Sequence, residues 1–155
     1  MSGVRIASSR MHPFRKLKVW REAHELTLRA YRVTKGLSYA DYPGLRDQIC
    51  RAAQSVPSNI SEGSGWDSGP QFAHYLEIAL SSARELDYLV LLAHDLGGIS
   101  QSEHTRLAAR IELVCAMAVN LRKKVLVKRP PSSRHSKSRP HPSPVTRPPS
   151  LVTRR

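Results

Sequence analysis

The sequence predicts an all-α chain: an antiparallel up-down four-helix bundle followed by a disordered, basic, Pro-rich C-terminal tail. Three observations lead there. Between Phe14 and Val127 four stretches place apolar residues at steps of three and four, with no convincing strand alternation. Short connections rich in Gly, Ser or Pro separate these stretches, and amphipathic helices so joined bury their stripes most simply by packing side by side. The composition then breaks: the last 28 residues, Lys128 to Arg155, hold eight Lys/Arg, seven Pro and no acidic residue, whereas all 12 carboxylates lie between Glu22 and Glu112.

The chain is therefore read as a flexible N-terminal segment (1–13), a bundle (14–127) and a tail (128–155) too polar and proline-rich to build a core. From Phe14 to Val127 there are 15 basic and 12 acidic residues, so most of the whole-chain charge of +13 belongs to the two ends. About 110 residues suffice for one domain with its own core. The two cysteines, Cys50 and Cys115, sit in apolar helical stretches and read as buried thiols of a reducing compartment, which makes the cytoplasm the expected location. The first thirteen residues lack a signal peptide's apolar core, and no apolar run approaches the roughly 18 residues needed to cross a bilayer, so no membrane role is expected.

The first helix is predicted from Phe14 to about Lys35, with Trp20, Ala23, Thr27, Ala30, Tyr31 and Thr34 as its stripe. The second takes Pro43 into its first turn and carries Leu45, Ile49, Ala52, Ala53, Val56 and Ile60. Pro57 lacks the N–H of a helix interior, so Ser58 to Glu62 is expected to form a kinked or separate final turn. Gly63, Gly65 and Gly69 then predict a connection with unusual backbone angles, held by Asn59 and Glu62.

Ser68 and Gln71 fit a capping box for the third helix, whose stripe of Phe72, Tyr75, Leu76, Ala79, Ala83, Leu86, Val90 and Ala93 stops at Gly97. Ser100 and Glu103 repeat the cap, and Leu107, Ile111, Val114, Ala118, Leu121 and Val125 follow in a heptad-like rhythm. Leu80, Leu89, Leu91, Leu92 and Cys115 fall off the main stripes and either widen the core or build a subunit interface. Trp20, Leu45, Phe72, Leu76, Leu86, Leu107 and Ile111 are the principal core or interface candidates.

Little points to chemistry. A di-metal bundle needs Glu-x-x-His pairs, and none occurs; His74 and Glu77 stand in the reverse order and read as a surface pair. The cysteines lack zinc-site spacing, which His24, His94 and His104 do not repair. No nucleophile elbow accompanies any Ser, His and carboxylate, and SEGSGW lacks the Gly-Lys-Ser/Thr ending of a phosphate loop. No metal, cofactor or catalytic residue is expected. The candidates for nucleic-acid contact are Arg46 and Arg51 on the second helix and Arg122, Lys123 and Lys124 near the end of the last, modest clusters that repetition around an oligomer would join. The tail has no aromatic residue for base stacking and reads as adhesive, with Pro-rich peptide recognition as a lesser role.

The runs FRKLKVWREAHELTLRAYRVTK, GLRDQICRAAQSVPSNISEGSG and QFAHYLEIALSSARELDYLVLLAHDLG together resemble the bacterial four-helix bundle family named after intervening sequences in large ribosomal RNA genes. Phe14, Leu17 and Trp20 carry the likeness in the first, Gly44, Gln48, Arg51, Asn59, Glu62 and Gly63 in the second, and Phe72, Leu76, Ser82 and Glu85 in the third. The resemblance implies an up-down bundle that assembles as a homopentamer without established enzymatic activity. It also implies a relation to the accessory protein of diversity-generating retroelements, a nucleic-acid-binding bundle that partners a reverse transcriptase. Trp66 and Asp67 depart from the basic residue common in relatives. The expectation is a non-enzymatic, homo-oligomeric scaffold or protein-interaction module, with a nucleic-acid-binding accessory protein, acting on RNA or DNA beside a reverse transcriptase, as the alternative.

Overall fold

A computed structural model describes residues 13–127 of the chain; the predicted N-terminal segment, but for Pro13, and the tail 128–155 lie outside the described residues. Four helices follow one another: α1 (Lys18–Val33), α2 (Leu45–Ser64), α3 (Gly69–Asp95) and α4 (Gln101–Val127). Each packs on the next, α4 closes on α1, and the diagonal pairs bring no Cα atoms within 8 Å, which is the predicted up-down bundle. One end collects the start of α1, the α2–α3 connection and the end of α4. The other collects the remaining two connections.

Helix α1 starts later than the periodicity suggests. Pro13–Lys16 form a separate 3-10 turn, and Leu17 is extended at the N-cap (φ −74°, ψ 122°) without a side-chain cap. Its buried face is also rotated from the predicted stripe. Val19, Ala23, Leu26, Thr27 and Ala30 are buried, whereas Trp20 and Tyr31 are half-buried on one flank. Leu26 makes the difference, because it is fully buried between positions that the predicted stripe joined directly.

Pro43 does not enter α2. Gly44 is the N-cap in the left-handed region (φ 77°), a conformation that costs a residue with Cβ, and the helix begins one residue later. From there α2 continues through Pro57 to Ser64, so no separate final turn forms. The physical reason is a substitute donor. Pro57 cannot bond to the carbonyl of Ala53, and the Thr27 hydroxyl of α1 donates to that oxygen instead.

Gly63 near the end of α2 and Gly69 at the start of α3 serve close approach rather than unusual angles. Among the described residues only Gly44 and Gly97 have positive φ. A Cβ on Gly63 would lie 2.7 Å from both Phe72 Cδ2 and Tyr75 Cβ, so its absence lets α2 and α3 meet near their connection. Ser68 caps α3 in extended conformation but makes no side-chain cap bond, so the predicted box with Gln71 does not form; Pro70 stands in the first turn instead, where an N–H is dispensable. The second predicted box is half present. The Glu103 N–H donates to Ser100 Oγ at 3.3 Å, while the Glu103 carboxylate turns to arginines. Gly97 stops α3 as expected, with the Gly98 N–H donating to Ala93 O at 2.8 Å.

The core lies between all four helices. Leu45, Leu76, Leu86, Leu107 and Ile111 are buried in it, and Trp20 and Phe72 pack against it half-exposed. Of the apolar residues off the main stripes, Leu80 and Leu89 widen the core, Leu92 and Cys115 lie at its edge, and Leu91 is exposed.

Candidate functional site

Three surfaces carry the residues with functional potential. The first is a cleft of about 930 Å3 between the start of α1 and the end of α2, lined by Phe14, Trp20, His24, Pro57, Glu62 and Trp66 among others. Its aromatic wall follows from helical spacing: Trp20 and His24, four apart on α1, stack with ring centres 5.2 Å apart and planes at 6°. Phe14 tilts against Trp20 at 4.7 Å. On the far side Trp66, 45% exposed, stacks on Tyr75 of α3 at 6.5 Å.

Of the predicted turn residues, Glu62 and Gly65 line this cleft and Asn59 and Gly63 do not. Asn59, Glu62 and Gly63 belong to α2, and Gly65 is its C-cap in right-handed helical conformation (φ −79°). Asn59 Nδ2 donates back to Ser55 O at 2.8 Å and lies 3.1 Å from Ser55 Oγ, which in turn exchanges a hydrogen bond with Ser82 Oγ of α3 at 2.8 Å. Asn59 is thus part of a polar relay between α2 and α3. Glu62 is exposed at the cleft and forms no ion pair among the described residues.

The second surface is the set of basic residues, which one chain does not bring together. Arg46 and Arg51 lie on the first turns of α2, exposed and without ion pairs among the described residues, and border a shallow depression with Tyr31 and Tyr39. Arg122, Lys123 and Lys124 lie at the opposite end, near the end of α4. Arg122 is partly neutralised: its Nε lies 2.9 Å from Glu77 Oε2, close enough for an ion pair though not aligned as a hydrogen bond.

The third surface is apolar. Tyr88 (62% exposed) and Leu91 (44%) are three residues apart on α3 and share a face. Cys115 of α4 stands beside this face, near Arg84 and Asp87 of α3; burial pushes its thiol above the ordinary cysteine range, the Arg84 charge opposes that shift, and Asp87 and Glu112 add to it. Leu113, 47% exposed, lies two residues from Cys115, about 200° around the helix, and so faces the other flank of α4.

Sequence reasoning singled out Trp20, Glu62 and Leu91 but missed His24 and Trp66 as cleft walls and Leu113 as an exposed apolar residue. The four-residue step from Trp20 to His24 was the available signal for the first; Trp66 and Leu113 had none, because their roles depend on which helix lies opposite. Among the described residues no three His, Cys, Asp or Glu side chains gather as a metal would require, and no helix is long and apolar enough to cross a membrane.

Comparison with known proteins agrees with this architecture. A Bacteroides thetaiotaomicron crystal structure, described as a protein with unknown function from the S23 ribosomal protein family, superposes with a TM-score of 0.61 at 21% identity, covering 68% of this chain and 98% of the other. At that identity the likeness is one of fold. No curated protein matches the chain. The family described as 23S rRNA-intervening sequence protein matches residues 15–120, most of the bundle, and the chain accordingly belongs to that family.

Proposed function

We propose that this protein is a non-enzymatic helical scaffold that works by assembling with copies of itself. The observation that carries the reading is the exposure of large apolar side chains on both flanks of α4 although the core beneath is closed: Tyr88 and Leu91 beside one flank, Leu113 on the other. Two different apolar faces on one chain fit a head-to-tail contact, which generates a ring when its rotation closes. Five copies is the number that the family resemblance implies.

The test is the solution mass of the full chain by light scattering. Wild type should give a multiple of 17.4 kDa, while Leu91→Glu and Leu113→Glu should each give monomers of unchanged helicity. Mixing the two variants should restore one good contact and yield a two-chain species, because each keeps the face that the other lacks. A monomeric wild type, or no pairing on mixing, would remove this reading.

A second reading, a nucleic-acid-binding accessory protein, is favoured on the nucleic-acid side by Arg46 and Arg51, which are exposed and form no ion pair among the described residues, with Asp47 in the same depression; a reverse-transcriptase partner is what the family resemblance implies. A ring would repeat that pair around its axis. A salt titration of RNA and DNA binding by full chain and by an Arg46→Glu, Arg51→Glu variant separates the readings: phosphate contacts give a steep fall of affinity with salt that the variant flattens. Equal slopes would remove Arg46 and Arg51 from any phosphate-contacting surface.

A further inference from the structure

Both tryptophans of the chain, Trp20 and Trp66, line the cleft at the end of the bundle where α4 terminates. Phe14 and the Trp20–His24 stack supply its apolar wall, Pro57 lies among its lining residues, and Glu62 is its one carboxylate. Aromatic-walled grooves take proline-rich segments, because prolines pre-set in an extended helix lose little entropy on docking and pack flat on indole faces. A carboxylate at the rim with no ion pair among the described residues adds a partner for a guanidinium.

The chain carries such a segment. Residues 128–155 contain Arg129-Pro130-Pro131, Arg139-Pro140 and Arg147-Pro148-Pro149, with no acidic residue to compete for the arginines. This segment also leaves the bundle at the right place. Gly69 lies so close to α4 that a Cβ on it would stand 2.4 Å from Val125 O, and Trp66 is three residues before Gly69, at most about 11 Å along the backbone. From Gln54 to Gly65 the α2 wall of the cleft runs about 16 Å. From Val127 to Arg139 the chain can extend about 37 Å in the polyproline conformation, enough to reach all of it. Residues 1–12 leave the bundle beside Phe14 but contain no proline, so they match the cleft less well.

We infer that the tail 128–155 docks intramolecularly in this cleft, with its prolines packed on Trp20 and Trp66 and one of its arginines paired with Glu62. The tether makes weak contacts sufficient: a cleft that binds a free peptide at about 1 mM is half filled by a segment held at millimolar effective concentration.

The two tryptophans report on the cleft directly, since the tail contains none. The experiment is acrylamide quenching of tryptophan fluorescence in the full chain, in a full-chain variant with all seven tail prolines changed to serine, and in Glu62→Gln. The proline variant alters no residue of the bundle, and unchanged circular dichroism confirms that. Docking predicts a quenching constant raised about twofold in the proline variant, a smaller rise in Glu62→Gln, and no dependence on protein concentration. Equal quenching in wild type and proline variant would overturn the inference. So would protection that disappears on dilution, which assigns the occupant to a neighbouring copy, or protection that responds only to changes in residues 1–12.

Discussion

The Thr27 hydroxyl of α1 donates to the carbonyl oxygen of Ala53 in α2 at 2.7 Å, filling the position left open four residues later by Pro57. Thr27 Oγ1 also lies 3.0 Å from Ala23 O, so the single hydroxyl hydrogen is shared between its own helix and its neighbour. Ala53 and Thr27 are both buried, which leaves water no access to the carbonyl. Thr27→Val keeps the shape and strands that acceptor, and should destabilise the fold by about 1–3 kcal/mol in urea denaturation. In a Pro57→Ala background an N–H returns to Ala53 O, so the same substitution should cost measurably less. Equal costs in the two backgrounds would show that the hydroxyl does not substitute for the missing donor.

Gly63 should resist replacement for reasons of contact rather than conformation. Its backbone is helical, so alanine would gain about 1 kcal/mol in propensity. Against this, the new Cβ would meet Phe72 and Tyr75 at 2.7 Å, and overpacking of that kind costs about 1–3 kcal/mol. The expected result is a net loss of thermal stability for Gly63→Ala, whereas Gly36→Ala, with nothing within 4 Å of the new atom, should be nearly neutral.

The contact between α1 and α4 is braced by two ion pairs, Arg110 to Glu22 at 2.8 Å and Arg29 to Glu103 at 3.3 Å. All four side chains are about a third exposed, so solvent screens them. Glu22→Gln should therefore cost no more than about 1 kcal/mol at low ionic strength. The difference from wild type should shrink in molar salt, as chemical denaturation with urea, which is uncharged, can measure. A salt-independent difference would assign the loss to packing.

Cys115 should alkylate slowly at neutral pH. Burial holds its pKa above the ordinary thiol value, so the reactive thiolate is scarcer at neutral pH than on a free cysteine. The nearby Arg84 charge works in the opposite direction, and Arg84→Gln should move the pH–rate profile for iodoacetamide, followed by mass spectrometry at Cys115, to still higher pH. A shift to lower pH would contradict the assigned sign.

Much of the bundle was legible because amphipathic spacing is a local property. The stripes of α2, α3 and α4 and the stop at Gly97 could be read from residues a few positions apart. The candidate site was legible only in pieces. Trp20 and Glu62 could be singled out, but their meeting with Trp66 across a cleft joins residues from different helices, and periodicity along one helix contains no information about its partner.

The sequence by itself determined that the chain makes four amphipathic helices with short links and a basic, proline-rich extension, since side-chain spacing and backbone chemistry act within a few residues. Only the tertiary structure decided that Pro57 would lie inside a helix, that Gly63 would serve close packing, and that Ser55, which Asn59 bonds within α2, would reach Ser82 of α3. Each of those outcomes depends on an atom contributed by another helix: a hydroxyl from Thr27, a ring from Phe72, a second hydroxyl from Ser82. Such partners are chosen by the packing of whole helix faces, which exists only once the bundle has closed.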